Sequence, residues 1–337
     1  MELLKRVGVT LCAVVAVVAL YAVPAQAQAI ITNGTGIYLG VDRLGQLNVA
    51  DGTSGVTLTP SNSTFIGLYS AAIDGDATSP GCLCEGFGIA ANGVSGSADN
   101  AIGTVNLSST SFTSTASTAT TVAALTSLSG FSVTHEYHPS ASPDLYQVDV
   151  TLTNNTGGTV NNVFYNRTMD WDIPPTTFQE LVTLQGVGLG NLTDSCNNGF
   201  ETPDPLQTCR QNGTAGGVNV FFHNTNFVDQ IPGGQDHGAR FTFGFGSLAN
   251  GETKKFTIFY GASAGETAAF AALAAVGAEG IYSFGQPSST GGAAGFPETF
   301  IFGFQGVGAP PVSTPEPTSL ALLGIGLVGA AARRLRK

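Results

Sequence analysis

Asp170-Trp171-Asp172 is the segment of this 337-residue chain whose residue types and spacing come closest to a chemistry. Successive side chains of an extended strand point to opposite faces. Both carboxylates therefore share one face, about 7 Å apart, and Trp171 takes the other. Like charges that close are costly unless water or a cation separates them. Pro174-Pro175 ends the strand, which places the pair at a sheet margin, and Glu180 offers a third oxygen donor for a hard ion. Three states fit this pattern, in this order: solvated structural acids, calcium ligands at Asp170, Asp172 and Glu180, and the acid and base of a glycosidase. The last ranks lowest because such pairs usually come from separate elements at defined distances. No motif requires a cofactor, and calcium is the candidate ion.

The remaining motifs lead away from catalysis. Gly261-Ala262-Ser263-Ala264-Gly265 fits the G-x-S-x-G elbow of a serine hydrolase. In that fold a histidine follows the serine, whereas His135, His138, His223 and His237 all precede it. Ser263 and Glu266 instead form the S-x-x-E capping box of a helix over 264–278. His135-Glu136-Tyr137-His138 has its histidines three apart on a strand, so they diverge, and sheet-edge hydrogen bonding is expected rather than zinc. Asp194 to Gly199 half-mimics a calcium loop, and Asp194 to Glu201 and Asp74-Gly75-Asp76 read as acidic turns. Gly324 to Gly329 matches GxGxxG but lacks the strand and downstream acid that a nucleotide site needs. The expectation is a protein without enzymatic activity.

Composition narrows the class further. Between Ile30 and Thr314 stand six basic residues against twenty-one Asp and Glu. Nucleic-acid binding needs a basic footprint, and none exists. Cys82, Cys84, Cys196 and Cys209 remain after the N-terminal segment, an even number that suggests disulfides in an exported chain. Cys196–Cys209 would close a short loop and Cys82–Cys84 a strained ring. Alternatively, both could cross to the 196–209 loop. Cysteine-ligated zinc ranks below these, since C-x-C is not the usual metal spacing.

The elements that position these residues read as β. Leu145 to Thr153 alternates, turns at Asn154–Gly158 and runs back over 160–172; a second hairpin joins 239–246 to 252–260. Further strands are expected near 36–39, 55–58, 65–69, 104–106, 111–115, 120–124, 131–137, 181–185, 218–222 and 300–304. Many short strands with Gly and Asn turns point to an antiparallel β-sandwich, one large or two packed, carrying one short helix.

Both ends are addresses rather than fold. Lys5-Arg6, an apolar run over 7–23 and small-x-small steps at Ala25-Gln26-Ala27 and Ala27-Gln28-Ala29 form a secretory signal peptide over 1–29. The body runs over 30–309, and 310–337 is a linker plus tail. That tail reads Pro315-Glu316-Pro317, an apolar helix over 320–332, then Arg333, Arg334, Arg336 and Lys337. Thirteen uncharged residues fall short of the roughly 20 a full span needs, so transient insertion with cytoplasmic cations is expected. The tail closely resembles the PEP-CTERM sorting signal of exopolysaccharide-producing Gram-negative bacteria. The resemblance implies cleavage by an exosortase near Pro315-Glu316-Pro317 after Sec export, transient residence in the inner membrane, and delivery to the cell surface or extracellular matrix.

Several body segments resemble one recurrent, largely uncharacterised family of exported β-rich proteins. They include Gly81 to Gly86, Val133 to Pro139, Met169 to Thr176, His237 to Tyr260 and Ala278 to Gln286. That family commonly has tryptophan where Phe87 stands and arginine where Asn166 stands. A shared fold and surface location are implied, and no activity. The expected role is structural or adhesive in the exopolysaccharide matrix, with extracellular polysaccharide as a partner. A glycan-binding module is the alternative, and a carbohydrate-active enzyme using Asp170, Asp172 or Glu180 stands third.

Overall fold

The alternation along Leu145–Asn154 is realised in three dimensions: every second residue is buried, and the strand lies in the middle of a nine-stranded antiparallel sheet. A computed structural model describes residues 28–81, 85–100, 103–209, 221–228, 234–288 and 298–312. The large sheet runs in the order Leu107–Ser114, Ala119–Leu125, Phe131–Pro139, Leu145–Asn154, Thr253–Ser263, Thr299–Gln305, Tyr282–Pro287, Glu180–Gln185, Phe227–Val228. A six-stranded sheet faces it in the order Leu192–Cys196, Gly238–Gly244, Phe164–Asp170, Gly86–Ala91, Val94–Asp99, Gly103–Val105. Aromatic contacts join the two layers: Phe241 meets Phe302 at 5.5 Å and Phe243 meets Phe304 at 4.8 Å between ring centroids. A four-stranded sheet (Ala29–Thr32, Ile37–Val41, Leu68–Ser70, Gly75–Asp76) and a pair (Val49–Ala50 with Phe65–Ile66) extend the body. The class is mainly β and antiparallel, as the sequence predicts.

Both expected hairpins turn out to be crossings. Leu145–Asn154 pairs with Phe131–Pro139 and Thr253–Ser263, while Phe164–Asp170 pairs with Gly238–Gly244 and Gly86–Ala91 in the other sheet. Gly238–Gly244 and Thr253–Ser263 likewise lie in opposite sheets. Each connection carries the chain over the rim, tied by the Val160–Leu248 bridge. The segment 55–58 forms no strand; Thr53–Gly55 is a short 3₁₀ turn, and Val56 and Leu58 pack against the small cluster of Ile30, Val49, Ile66 and Tyr69. The run 65–69 divides at Gly67 between two sheets. A Cβ there would lie 2.1 Å from Thr78 Oγ1.

The helix spans Glu266–Ala275 and buries Leu273 and Ala269 against the outer face of the large sheet. It starts at Gly265, whose φ of 97° suits glycine, and no side chain caps it. The expected capping box is not made, because Ser263 belongs to the preceding strand and its hydroxyl donates to Asp144 Oδ2 at 2.6 Å. The signal segment, the tail helix and most of 218–222 lie outside the described residues; Phe221 and Phe222 are not in a strand. Among the described residues no helix is long and apolar enough to cross a membrane.

Candidate functional site

Phe164–Asp170 pairs with Gly238–Gly244 in a register that sets Asp170 opposite Gly238. One step on, Trp171 N–H donates to His237 O at 3.1 Å, so Asp172 comes to lie near Asp236. One carboxylate oxygen from each of Asp170, Asp172 and Asp236 lies within 4.8 Å of the others. Glu180 opens its own strand in the large sheet and reaches the same place: its Oε1 accepts the His237 N–H at 2.9 Å. Trp171 does point away from the acids, as alternation predicts, and its indole N–H donates to Ser283 Oγ at 2.9 Å.

The expected sheet margin is not solvated. Asp170, Asp172 and Glu180 are 1%, 0% and 0% exposed, because the 172–180 loop folds back and the 197–201 and 234–237 segments close over the strand ends. Gly199 packs directly on Asp170, where a Cβ would come within 2.5 Å of its Cα. Burial, then the charges of Asp172, Asp236 and Asp99, hold Asp170 well above the usual carboxylate range. Burial, then Glu180, Asp236 and Asp76, push Asp172 up to about 9. Glu180 is raised by burial, which the His237 N–H only partly offsets, and further by Asp170 and Asp236. Asp236 is raised by burial against the opposing charge of His237. Such a group either holds protons at neutral pH or holds a cation. The solvated reading is therefore corrected, and Asp236 is the member that sequence reasoning missed. The ladder register could have revealed it, had the pairing partner been known.

The other motifs are absorbed by structure. His135 is fully buried in an interior strand rather than at a sheet edge, with Nε2 at 3.0 Å from Tyr165 Oη, while His138 turns outward to Asp149 Oδ2 at 3.2 Å. Asp194 bonds Arg240 Nη1, His223 Nε2 and the Cys209 N–H, so its oxygens are already taken and no calcium loop forms. Asp76 is buried and accepts N–H groups from Gly67, Thr78 and Ser79. Cys196 and Cys209 form a disulfide, whereas Cys82 and Cys84 lie outside the described residues. Asn166 donates to Thr242 Oγ1, and the Phe87 ring packs on His135, so both departures from the resembled family sit in packed positions.

Pro315, Glu316, Pro317 and the terminal cations Arg333, Arg334, Arg336 and Lys337 also lie outside the described residues. No curated protein matches this chain. Residues 313–337 match the PEP-CTERM protein-sorting motif. The chain thus carries the address of an exported protein sorted by exosortase.

Proposed function

We propose that the processed body serves as a structural or adhesive protein of the cell surface or exopolysaccharide matrix, without catalysis, after Sec export and exosortase cleavage. The observation that carries this reading is the sorting motif joined to a tightly packed β body with a disulfide-closed loop. Two features support the absence of catalysis. Ser263, the one elbow serine, is engaged by Asp144, and the acids a glycosidase would use are 0–1% exposed, out of reach of a glycan. Fractionation of the native host is the test. The body is expected in the surface or matrix fraction, with a lower mass than the full chain, and to stay unprocessed when exosortase is deleted. A processed body confined to the periplasm would overturn the destination.

One observation favours glycan binding as the second reading. A cleft of about 750 Å³ is lined by Ser61, Asn62, Thr64, Phe65 and Phe178, and the two phenylalanines are 38% and 46% exposed. Aromatic faces with hydroxyl and amide donors suit sugars, though only by analogy with other sandwiches. Glycan-array binding that is lost in Phe178→Ala would select this reading, and a blank array would leave the structural role.

A further inference from the structure

We propose that Asp170, Asp172 and Asp236, with Glu180 beside them, bind a divalent cation of the calcium class, and that this ion clips the two sheets together at one end of the sandwich. Three lines converge on it. The first is the meeting of one oxygen from each of three carboxylates within 4.8 Å, the distance across a centre whose bonds are about 2.4 Å long.

The second is independent of the cluster. Asp172 is wholly buried, yet neither of its oxygens has a hydrogen-bond partner, and Glu180, also wholly buried, leaves Oε2 without one. Buried oxygens are normally satisfied. This fold manages that elsewhere, as at Asp76, which takes three backbone N–H groups. A proton on Asp172 would supply a donor but would still leave acceptors unsatisfied. A cation meets every oxygen at once and supplies the positive charge, since the strongest charges acting on Asp172 are other carboxylates.

The third line is topological. Asp170 ends a strand of the small sheet, Asp236 precedes its neighbour Gly238–Gly244, and Glu180 opens a strand of the large sheet. An ion here would tie the paired strand ends of the small sheet to the start of a large-sheet strand, reinforcing the isolated Glu180–Gln235 bridge. The donors are oxygens only, which selects a hard ion over the softer metals that prefer sulfur or imidazole. Calcium tolerates an irregular set of six to eight oxygens, whereas magnesium demands a near-ideal octahedron and keeps its water. The site is too buried to exchange its ion quickly, so loading is expected as the chain folds after export.

The test uses the secreted protein purified from its native host. Metal analysis should find about one calcium per chain. After chelation, calcium at 100 times its Kd should raise Tm by about 5–10 °C, with magnesium giving much less. Trp171 is the sole tryptophan and its backbone lies between two of the ligands, so Tb³⁺ should show indole-sensitised emission that calcium quenches by displacement. Asp172→Asn should lose both responses. The emission experiment needs no variant, so a poorly folding mutant does not block the test. An absence of bound metal together with no calcium shift overturns the proposal. So does a calcium shift that survives in Asp172→Asn, which would place the ion elsewhere, or a zinc response stronger than the calcium one.

Discussion

A single strand, Phe164–Asp170, carries two buried ionic centres that are built on opposite plans. At its middle, Arg167 is wholly buried and its Nε donates to Glu85 Oε1. Arg167 Nη2 also bonds Gly45 O at 3.0 Å, and Glu85 accepts the Leu47 N–H at 2.6 Å and the Tyr260 hydroxyl at 3.3 Å. The guanidinium lies over the rings of Phe87 and Tyr260 at 5.7 and 5.6 Å. Burial disfavours both charges, but the carboxylate beside it keeps Arg167 protonated. At the strand's end, the charges that raise Asp170 and Asp172 are those of further acids. One centre pairs opposite charges within the chain, and the other gathers like charges for which we propose a bound ion. Burial alone thus says nothing about whether a charge stabilises; the partner decides.

The largest effect should come from breaking the paired centre. Arg167→Ala strands Glu85 in the core, and urea denaturation should register a loss of about 3–5 kcal/mol. Replacing the pair together, Arg167→Met with Glu85→Gln, should recover much of it, because the isolated charge is then gone. Should the double variant be no more stable than the single, the pair would owe its weight to packing on Phe87 and Tyr260 instead.

At the acidic centre the sign should reverse. Asp172→Asn is neutral among the other acids without having to take up a proton and adds an N–H donor, so in calcium-free buffer it should gain about 1–3 kcal/mol. In saturating calcium the same variant should be less stable than wild type, because it forgoes the ion. A loss in both buffers would show that the acids are already complete and that the contrast with Arg167 is false.

Proton linkage separates two further buried groups, one of them beside the Arg167 centre. His135 packs on Phe87 near Arg167, and its pKa lies well below its usual value, first through burial and then through the Arg167 charge. A lowered histidine binds fewer protons folded than unfolded, so its contribution is intact above pH 6.5 and lost as the pH falls. Glu298 is pushed up to about 7, first by burial, with the Ser70 hydrogen bond opposing and Asp144 adding to the rise. Its contribution is intact below its ordinary value of 4.5 and lost as the pH rises towards 7, by at most about 3 kcal/mol. In calcium-free melts, Glu298→Gln should therefore gain on wild type with rising pH, and His135→Gln should gain with falling pH. Parallel profiles for the two variants would mean that neither group titrates in the folded range.

How much of this was legible in the sequence depends on what sets each feature. Period-two alternation marks Leu145–Asn154 and the Asp170-Trp171-Asp172 facing, because one-sided burial writes itself into residue type. Gly86–Ala91 is buried on both faces, so it has no alternation to mark it as a strand. The turn at Asn154–Gly158 says that the chain reverses but not that it changes sheets. Glu180 stood out as an extra acid, whereas Asp236 carries no local signal and joins the site only through the strand register. The burial of the acids is not legible because Pro174-Pro175 marks a strand end, and a strand end can be roofed by chain from far away, here by Gly199 and the 234–237 segment.

The smallest expected effect belongs to a third, exposed charged contact, which tests whether distance or burial governs. His138 Nε2 lies 3.2 Å from Asp149 Oδ2, an ordinary bonding distance, but the two side chains are 36% and 43% exposed. Water screens the contact, and the separated groups are nearly as well solvated as the pair. His138→Ala should therefore cost less than about 1 kcal/mol and lose even that in high salt. Asp149 keeps the Gln147 and Thr257 hydrogen bonds in that variant, so nothing is left unsatisfied. A cost approaching that of Arg167→Ala would mean that contact geometry, not desolvation, sets the strength of ion pairs in this fold, and the contrast along Phe164–Asp170 would need another cause.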